Sequence, residues 1–391
     1  MTSLQQWEKP VLIIGAAGIF ASLLGAFTAT DQFFRSWLLA YLFWFAITLG
    51  ALPLLMIHHL VGGKWGFATR RLLESATRTL PLMAALFVPL LFGIHRLYEW
   101  SHQDIVRQDI ILQHKSMYLN TPFFIGRAAF YFAAWLMLGW FLNRWSGEQD
   151  RTGDVAIAHR FQRLSGPGLI IYALTITFAS TDWVMSLEPH WFSTIYGMMF
   201  MVGQTLTALS FVVAVLALLG DTPPLSRFLD ADTLNDLGNL LFAFIMLWAY
   251  LSFSQYLIIW SGNLPEEIPW YLRRSSGGWQ WIAAALAAFH FAIPFFLLLI
   301  RRNKRRKQVL STIAIAVVVM RLVDLTWLIV PAYEPSVHVH WLDIVTLAGI
   351  GGLWLAGFSR ELRKRSLVPL GDPEFRTEGS LVGSRSASSI T

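Results

Sequence analysis

The sequence predicts an all-α protein that crosses a membrane about ten times. Of its 391 residues, 55% are hydrophobic and only 14% are charged, whereas soluble domains are about one quarter charged. Apolar stretches of about 18 or more residues, the length that spans a bilayer, recur along the chain. The 18 tryptophans fit the same class, because indole rings favour the headgroup level of a membrane.

The apolar stretches define ten approximate spans. In chain order they cover residues 10–30, 37–60, 78–97, 123–144, 168–186, 192–219, 237–260, 279–300, 309–332 and 341–358. The first stretch lacks a signal-peptidase pattern, which favours a retained helix over a cleaved leader. The third and the fifth are the least apolar. Residues 1–365 are therefore expected to form one helical membrane domain, and the Gly/Ser-rich residues 366–391 a disordered cytoplasmic tail.

Basic residues between the spans predict how the chain is inserted. Of the 30 Lys and Arg residues, 22 fall on the side of the termini, seven fall on the opposite side, and Arg321 lies inside a span. Because Lys and Arg accumulate in cytoplasmic loops, both termini are expected in the cytoplasm. The net charge of +6 does not indicate nucleic-acid binding, since these residues flank apolar spans.

Two connections are longer than simple turns. Residues 98–121 combine apolar and charged residues at helical spacing, which is typical of a helix that lies at the membrane interface or contacts a partner. Residues 145–167 are expected to form a polar connection that ends in a Ser-Gly-Pro-Gly break.

Small residues spaced four apart mark three predicted helix surfaces. They are Gly18, Ser22 and Ala26; Ser193 and Gly197; and Ala348, Gly352 and Ala356. This spacing lets two helix backbones approach closely, and it favours packing within the bundle over a dedicated subunit interface.

The densest group of polar residues lies between the fifth and sixth spans. Asp182 ends one span, and Glu188, His190 and Trp191 lead into the next. An apolar slot with proton acceptors is what a quinol pocket requires, so these four residues are candidates for quinone binding or for a proton outlet. Glu188 can also stabilise the positive end of the following helix. The residues alone leave these interpretations open.

Two further pairs of ionisable residues lie within or beside the spans. Arg321 and Asp324 are three apart in the ninth span, where a single charge costs about 2.5 to 3.5 kcal/mol. They can pair on one helix face, as a structural ion pair or as part of a proton path. His95 and Glu99 are four apart at the end of the third span. They are candidates for proton transfer, or for an ordinary polar pair at headgroup level.

The chain contains no cysteine. Cysteine-held iron–sulfur clusters and covalently attached haem c are therefore excluded from this chain. His290 is a lone histidine in its span, so haem held by two histidines is not expected either. No metal site is predicted.

Two contiguous motifs resemble a known family. They are QDRTGDVAIAHRFQRLSGPGLIIYA, residues 149–173, and DWVMSLEPHWFSTIYG, residues 182–197. Both resemble the smaller NrfD-like (polysulfide-reductase-type) membrane subunit of bacterial alternative complex III, a quinol:cytochrome c oxidoreductase. The resemblance implies two four-helix bundles with two flanking helices, in the bacterial inner membrane.

The resemblance also implies partners. These would be a larger paralogous NrfD-like subunit, periplasmic multihaem and iron–sulfur subunits, and a monohaem cytochrome c, with a terminal oxidase as a further candidate. The haem c and the clusters would belong to those partners. The paralogue has a Pro-Gly-Trp-His run where this chain has Glu188, Pro189, His190 and Trp191, which implies that quinol is oxidised in the paralogue. This chain would then give structural support, with a proton path or a quinone contact.

Two other functions remain open from the sequence. A secondary transporter would use Arg321 and Asp324 at the membrane midplane, although no pair of Gly/Pro-interrupted spans occurs in matching halves. A pure membrane anchor would only hold the extrinsic subunits.

Overall fold

The computed structural model describes residues 2–223, 225–369 and 371–372, and every regular element within them is a helix. In chain order, the α-helices of the described residues begin with α1 (Thr2–Thr28), α2 (Thr30–Val61), α3 (Lys64–Thr77), α4 (Leu80–Phe92), α5 (Ile94–Leu97), α6 (Gln103–Gln108), α7 (Ile110–Lys115), α8 (Thr121–Thr152) and α9 (Ala156–Trp183). They are followed by α10 (Tyr196–Leu219), α11 (Ala231–Gly262), α12 (Ile268–Arg273), α13 (Trp279–Ala285), α14 (Ile293–Leu299), α15 (Arg301–Lys304), α16 (Lys307–Ile329) and α17 (Trp341–Arg363).

Membrane-crossing helices dominate this architecture. Within the described residues, nine helices are long and apolar enough to cross a membrane, and α3 with α4 form a bent tenth candidate. The nine correspond to every predicted span except the third. The prediction of a polytopic all-α membrane protein is therefore confirmed.

The third predicted span, residues 78–97, has the wrong bounds. Helix α4 has only 13 residues, which rise about 20 Å, less than the hydrocarbon core of about 30 Å. The chain instead enters through α3 and continues through α4 after a 40° bend. Pro81 lies in the first turn of α4, where its missing N–H is tolerated and the preceding helix cannot simply continue.

The polar connection predicted at residues 145–167 is also wrong. Helix α8 continues to Thr152 and α9 begins at Ala156, so the fifth span starts well before residue 168. Pro167 lies inside α9, as membrane helices permit. A Cβ at Gly168 would come within 2.7 Å of the Met56 sulfur, so this glycine serves close contact with α2 instead of ending the helix.

The centre of the molecule is formed by α2 and α10, which pack against each other and are the most buried of the membrane-crossing helices. Helix α2 also contacts α4, α9 and α17, whereas α10 also contacts α9, α11 and α16. Helices α13 and α14 are joined by a π-helical segment, Leu286–Ala292, that packs against α16.

The predicted small-residue surface of α1 packs within the chain. A Cβ at Gly18 would lie 2.6 Å from the Cα of Gly349 in α17. One turn further on, the hydroxyls of Ser22 and Thr346 are 3.0 Å apart and hydrogen-bonded. The interpretation of this surface as intramolecular packing is confirmed.

The loops gather at the two ends of the helices. We call the end formed by residues 93–120, 184–195, 263–278 and 330–340 the junction end. At the opposite end, the terminal end, Glu8 of α1 forms an ion pair with Arg363 of α17. Both ends of the helical region therefore lie together, as an even number of crossings requires.

The predicted start of the C-terminal tail, residue 366, is too early. Leu367 and Val368 are buried because they belong to the hydrophobic core. The carboxylate of Asp372 lies 2.7 Å from Nη1 of Arg70 in α3. Residues 373–391, the rest of the predicted tail, lie outside the described residues.

Candidate functional site at the junction end

The residues that the sequence singles out between the fifth and sixth spans lie at the junction end. Helix α9 ends at Trp183, a 3₁₀ turn covers Met185–Leu187, and α10 begins at Tyr196. The hydroxyl of Tyr98 donates a hydrogen bond of 2.9 Å to the carbonyl of Trp183. The turn is thereby held against the loop that follows α5.

Asp182 is fully buried and has three hydrogen-bond donors. Nε and Nη2 of Arg127 each donate to one of its oxygens at 2.8 Å, and the hydroxyl of Tyr131 donates at 2.8 Å. The remaining terminal nitrogen of Arg127 donates to the carbonyl of Tyr118 at 2.8 Å. A bidentate pair of this kind fixes geometry as well as charge. Asp182 therefore joins α8 to α9.

Glu188 is bound by two arginines of the neighbouring loop. Its oxygens lie 2.8 Å from Nη2 of Arg274 and 3.1 Å from Nη1 of Arg273. Arg274 is buried and also donates to the carbonyls of Trp270, Trp327 and Leu328. Burial lowers the pKa of Arg274, and the negative charge of Glu188 opposes that effect. Glu188 thus connects the α9–α10 turn to α12.

His190 contacts the start of α7, and Trp191 contacts α12. Nε2 of His190 lies 2.5 Å from the Asp109 carboxylate at the start of α7. This hydrogen bond, together with the backbone N–H of Leu112, lowers the pKa of Asp109. The ring of Trp191 stacks on Trp270, with centroids 4.7 Å apart. Both side chains therefore hold loops in place.

The four predicted residues lie in one turn, but they do not share a pocket. Asp182 binds α8 and His190 binds the start of α7, whereas Glu188 and Trp191 both contact α12 and its C-terminal end. Sequence reasoning missed these partners, although Arg127 gave a signal, since it is a basic residue inside the fourth predicted span. The arrangement can hold the junction end in one conformation, because each buried charged group already has an oppositely charged partner.

Arg321 and Asp324 form the predicted ion pair on α16, and both are buried. Nε of Arg321 lies 3.3 Å from the Thr207 hydroxyl on α10. The guanidinium occupies the space beside Gly203, where a Cβ would come within 2.1 Å of Nη2. The two side chains therefore neutralise each other's charge, and Arg321 also joins α16 to α10.

His95 and Glu99 are not brought together as the spacing predicts. Helix α5 ends at Leu97, and Glu99 begins a separate 3₁₀ turn. Both side chains are exposed. Nδ1 of His95 instead lies 3.1 Å from the Ser101 hydroxyl.

A cavity of about 730 Å³ lies beside this region and was not predicted. Its walls come from α10, α11, α12, α13 and α16, and Arg274 and Asp324 line it. The four residues predicted from the sequence, Asp182, Glu188, His190 and Trp191, do not line this cavity. Sequence patterns do not indicate the cavity, because its wall residues are distributed over more than 120 positions from Met199 to Trp327.

These features define the class of the protein: it is a multi-pass helical membrane protein with ion pairs buried at its junction end. Within the described residues, no group of three or more His, Cys, Asp or Glu side chains is placed to hold a metal ion. No protein-family model and no curated protein matches this chain.

Proposed function

We propose that this chain is a membrane subunit, without a redox centre of its own, of a respiratory quinol:cytochrome c oxidoreductase of the alternative complex III type. Its junction end would be the docking face for extrinsic subunits that carry haem c and iron–sulfur clusters. The resemblance at residues 149–173 and 182–197 supports this proposal. The helix packing also supports it, because it is compatible with two bundles flanked by α1 and α17. One bundle would contain α2, α4, α8 and α9, and the other α10, α11, α13, α14 and α16.

The observation that carries the docking role is a set of exposed apolar side chains on a fixed surface. Ile110 is 69% exposed, Met117 90% and Phe192 52%. All three lie outside the membrane-crossing helices, Ile110 in the short helix α7 and the other two in loops. Exposed apolar patches in such places mark interaction sites.

Two contacts hold this surface in shape. Nζ of Lys115 donates to the carbonyl of Pro189 at 2.6 Å and lies over the ring of Phe192. Asp109, which precedes Ile110, is bound by His190. A surface that is already ordered loses little conformational entropy when a partner binds. His190, a candidate for quinone binding from the sequence, would thus support docking.

Redox chemistry would belong to the partner subunits. Electrons would pass through the haem c and iron–sulfur centres of the partners, and quinol oxidation would belong to the larger paralogous subunit. The chain would lie in the bacterial inner membrane with both termini in the cytoplasm and the junction end in the periplasm. A terminal oxidase remains a further candidate partner.

Gentle solubilisation of native membranes tests this proposal. The full chain, tagged at its C-terminus, should co-purify with haem c absorption and with a larger multi-pass subunit. The double variant Ile110→Asp, Met117→Asp should lose most of the haem c signal. Val155→Asp is the matched control, since Val155 is 59% exposed in the α8–α9 connection at the terminal end.

Two results would contradict the proposal. One is a colourless, solitary chain from membranes that contain the complex. The other is equal loss of haem c in the Val155→Asp control, which would show general damage instead of a docking face.

The cavity beside Asp324 favours a secondary transporter as the second candidate. Asp324 lies in the last two turns of α16 and lines the cavity, and the facing helix is interrupted by the π-helical segment. Interrupted helices near the midplane are typical of transporters. Such a chain would purify without haem-containing partners and would still bind its substrate.

A further inference from the structure

A short basic loop at the terminal end joins two membrane-crossing helices. One span ends at Leu299 and the next begins at Lys307, so residues 300–306 are expected at headgroup level. Between positions 301 and 307, every residue except Asn303 is basic. This density of positive charge requires negative groups from the protein or from the membrane.

Three of the six basic side chains are bound by the protein itself. Nζ of Lys307 lies 2.6 Å from the Asp221 carboxylate, which follows α10. Nη2 of Arg305 lies 2.9 Å from the Asp232 carboxylate in the first turn of α11. Nζ of Lys304 donates to an amide oxygen of α11 at 2.6 Å. These contacts attach the basic loop to α11 and to the segment after α10.

The other three side chains are those of Arg301, Arg302 and Arg306, and all three are exposed. Among the residues that the structure describes, none of the three guanidinium groups forms an ion pair or a hydrogen bond. Asp236, the other acidic residue of α11, is exposed and does not pair with them either. Three guanidinium groups are therefore left for a ligand from outside the chain.

The surface beside these arginines is apolar. Phe296, Leu299 and Ile300 lie at the end of α14 or directly after it, and more than half of each side chain is exposed. Because α14 belongs to a membrane-crossing helix, these side chains face acyl chains. The loop thus places cations next to an apolar surface, as a phospholipid places its phosphate next to its acyl chains. A soluble phosphate would use the cations alone.

The chemistry of the three arginines favours a phosphate with a net negative charge. A guanidinium can donate two parallel hydrogen bonds to two phosphate oxygens. Clustered basic residues immediately beside a membrane-crossing helix are typical of sites for anionic headgroups. A zwitterionic headgroup would bring its own cation close to the arginines, so an anionic lipid is preferred.

We propose that Arg301, Arg302 and Arg306 form a binding patch for an anionic phospholipid. The phosphate accepts hydrogen bonds from the guanidinium groups, and an acyl chain lies along Phe296 and Leu299. The inference goes beyond the proposed function, because it concerns the end opposite the docking face and requires no partner subunit.

Native mass spectrometry of the full chain in a nonionic detergent tests the patch. The chain is titrated with palmitoyl-oleoyl phosphatidylglycerol and, separately, with phosphatidylcholine that has the same acyl chains. Each basic residue beside an anionic lipid strengthens binding by about fivefold at low ionic strength, so the preference for phosphatidylglycerol should be at least about tenfold. The triple variant Arg301→Gln, Arg302→Gln, Arg306→Gln should lose this preference and bind both lipids equally.

The matched control is the triple variant Arg151→Gln, Arg160→Gln, Arg163→Gln. These arginines are also exposed at the terminal end, where α8 and α9 meet, and their replacement removes the same charge. The control should keep the preference for phosphatidylglycerol.

A second triple variant, Arg301→Lys, Arg302→Lys, Arg306→Lys, guards against faulty insertion. It keeps the positive charge that orients the chain, and it should retain most of the preference. The midpoint temperature of unfolding should be the same in all these variants, because every changed side chain is exposed.

Three outcomes would overturn the inference. The first is equal binding of phosphatidylglycerol and phosphatidylcholine by the unmodified chain. The second is equal loss of the preference in the control variant, which would show a general effect of charge. The third is displacement of phosphatidylglycerol by an equal concentration of glycerol phosphate, which would assign the arginines to a soluble phosphate ligand.

Discussion

At the scale of single residues, Asp182 shows how a buried carboxylate can be structural. It accepts hydrogen bonds from two nitrogens of Arg127 and from the hydroxyl of Tyr131, and it is inaccessible to solvent. Arg127 is also held between the rings of Tyr118 and Phe123, with its guanidinium carbon 3.8 Å and 4.4 Å from their centroids. The guanidinium cannot move to a new partner without leaving these rings.

Asp182→Asn should therefore destabilise the chain. It leaves the Arg127 charge buried and unpaired, and breaking such a pair typically costs about 3 to 5 kcal/mol. Thermal unfolding in detergent measures the effect as a lower midpoint temperature. The matched control is Glu99→Gln, which neutralises an exposed carboxylate and should leave the midpoint unchanged.

A double variant separates structure from chemistry at this position. If Asp182 acts through its pair, Arg127→Gln with Asp182→Asn should be less destabilised than the sum of the two single variants. A normal midpoint for Asp182→Asn together with lost turnover of the complex would assign Asp182 a direct role in proton transfer instead.

At the scale of helices, the contact of α1 with α17 depends on glycine. A Cβ at Gly18 would lie within 2.6 Å of backbone atoms of Gly349, and one at Gly352 within 2.5 Å of backbone atoms of Gly15. Backbone cannot give way as a flexible side chain can. The close approach therefore requires the absence of side chains at both positions.

Gly18→Leu should separate α1 from α17. Because the chain has no native cysteine, Ser22→Cys and Thr346→Cys can report the contact through disulfide formation, and their hydroxyls are 3.0 Å apart in the native pair. Crosslinking should be efficient in this pair and largely lost when Gly18→Leu is added. Gly126→Leu is the matched control, since a Cβ at Gly126 meets nothing within 4 Å. Equal crosslinking in both leucine variants would contradict the proposed role of Gly18.

Sequence reasoning predicts these helices well but not their interruptions. Apolar length is a local property, so the presence of the spans from α8 to α17 could be predicted directly, although α9 begins at Ala156 and not at residue 168. The effect of a proline, in contrast, depends on its neighbours. Pro81 marks a bend after α3, yet Pro167 lies inside α9. Both α4 and α9 pack against α2, and a single sequence does not display how each proline is surrounded.

The candidate site also has a part that the sequence predicts and a part that it does not. Asp182, Glu188 and His190 are close in sequence, so the sequence pattern groups them. Their partners Arg127, Arg274 and Asp109 lie between 55 and 86 positions away. The cavity is harder still to predict, because apolar and aromatic wall residues on membrane helices look like ordinary lipid-facing residues until the helices are placed.

At the scale of the whole molecule, the two ends differ in what holds them. The junction end is fixed by pairs that cross between loops, such as His190 with Asp109. The terminal end contains a buried cluster in which Glu74 accepts from Arg70, Arg71 and Ser146. That cluster also reaches the C-terminal segment, through Arg70 and Asp372. Ion pairs therefore hold the helices and loops together at both ends of the helical core.

The charge distribution of the chain predicts its orientation in the membrane. This orientation can be measured by labelling single introduced cysteines, because the chain has no native cysteine. The terminal end should face the cytoplasm, because 22 of the 30 Lys and Arg residues fall on the side predicted to hold the termini. In spheroplasts, a membrane-impermeant maleimide should label Met117→Cys, at the junction end, before lysis. Arg302→Cys, at the exposed start of α15, should be labelled only after lysis.

The two positions are matched, since both are exposed and each would be the single thiol of its chain. The reverse pattern would place the docking face in the cytoplasm, where a periplasmic haem subunit cannot reach Ile110 or Met117. The topology measurement therefore tests the partner assignment as directly as it tests insertion. Labelling of both positions before lysis would show two orientations, which a single fixed docking face does not permit.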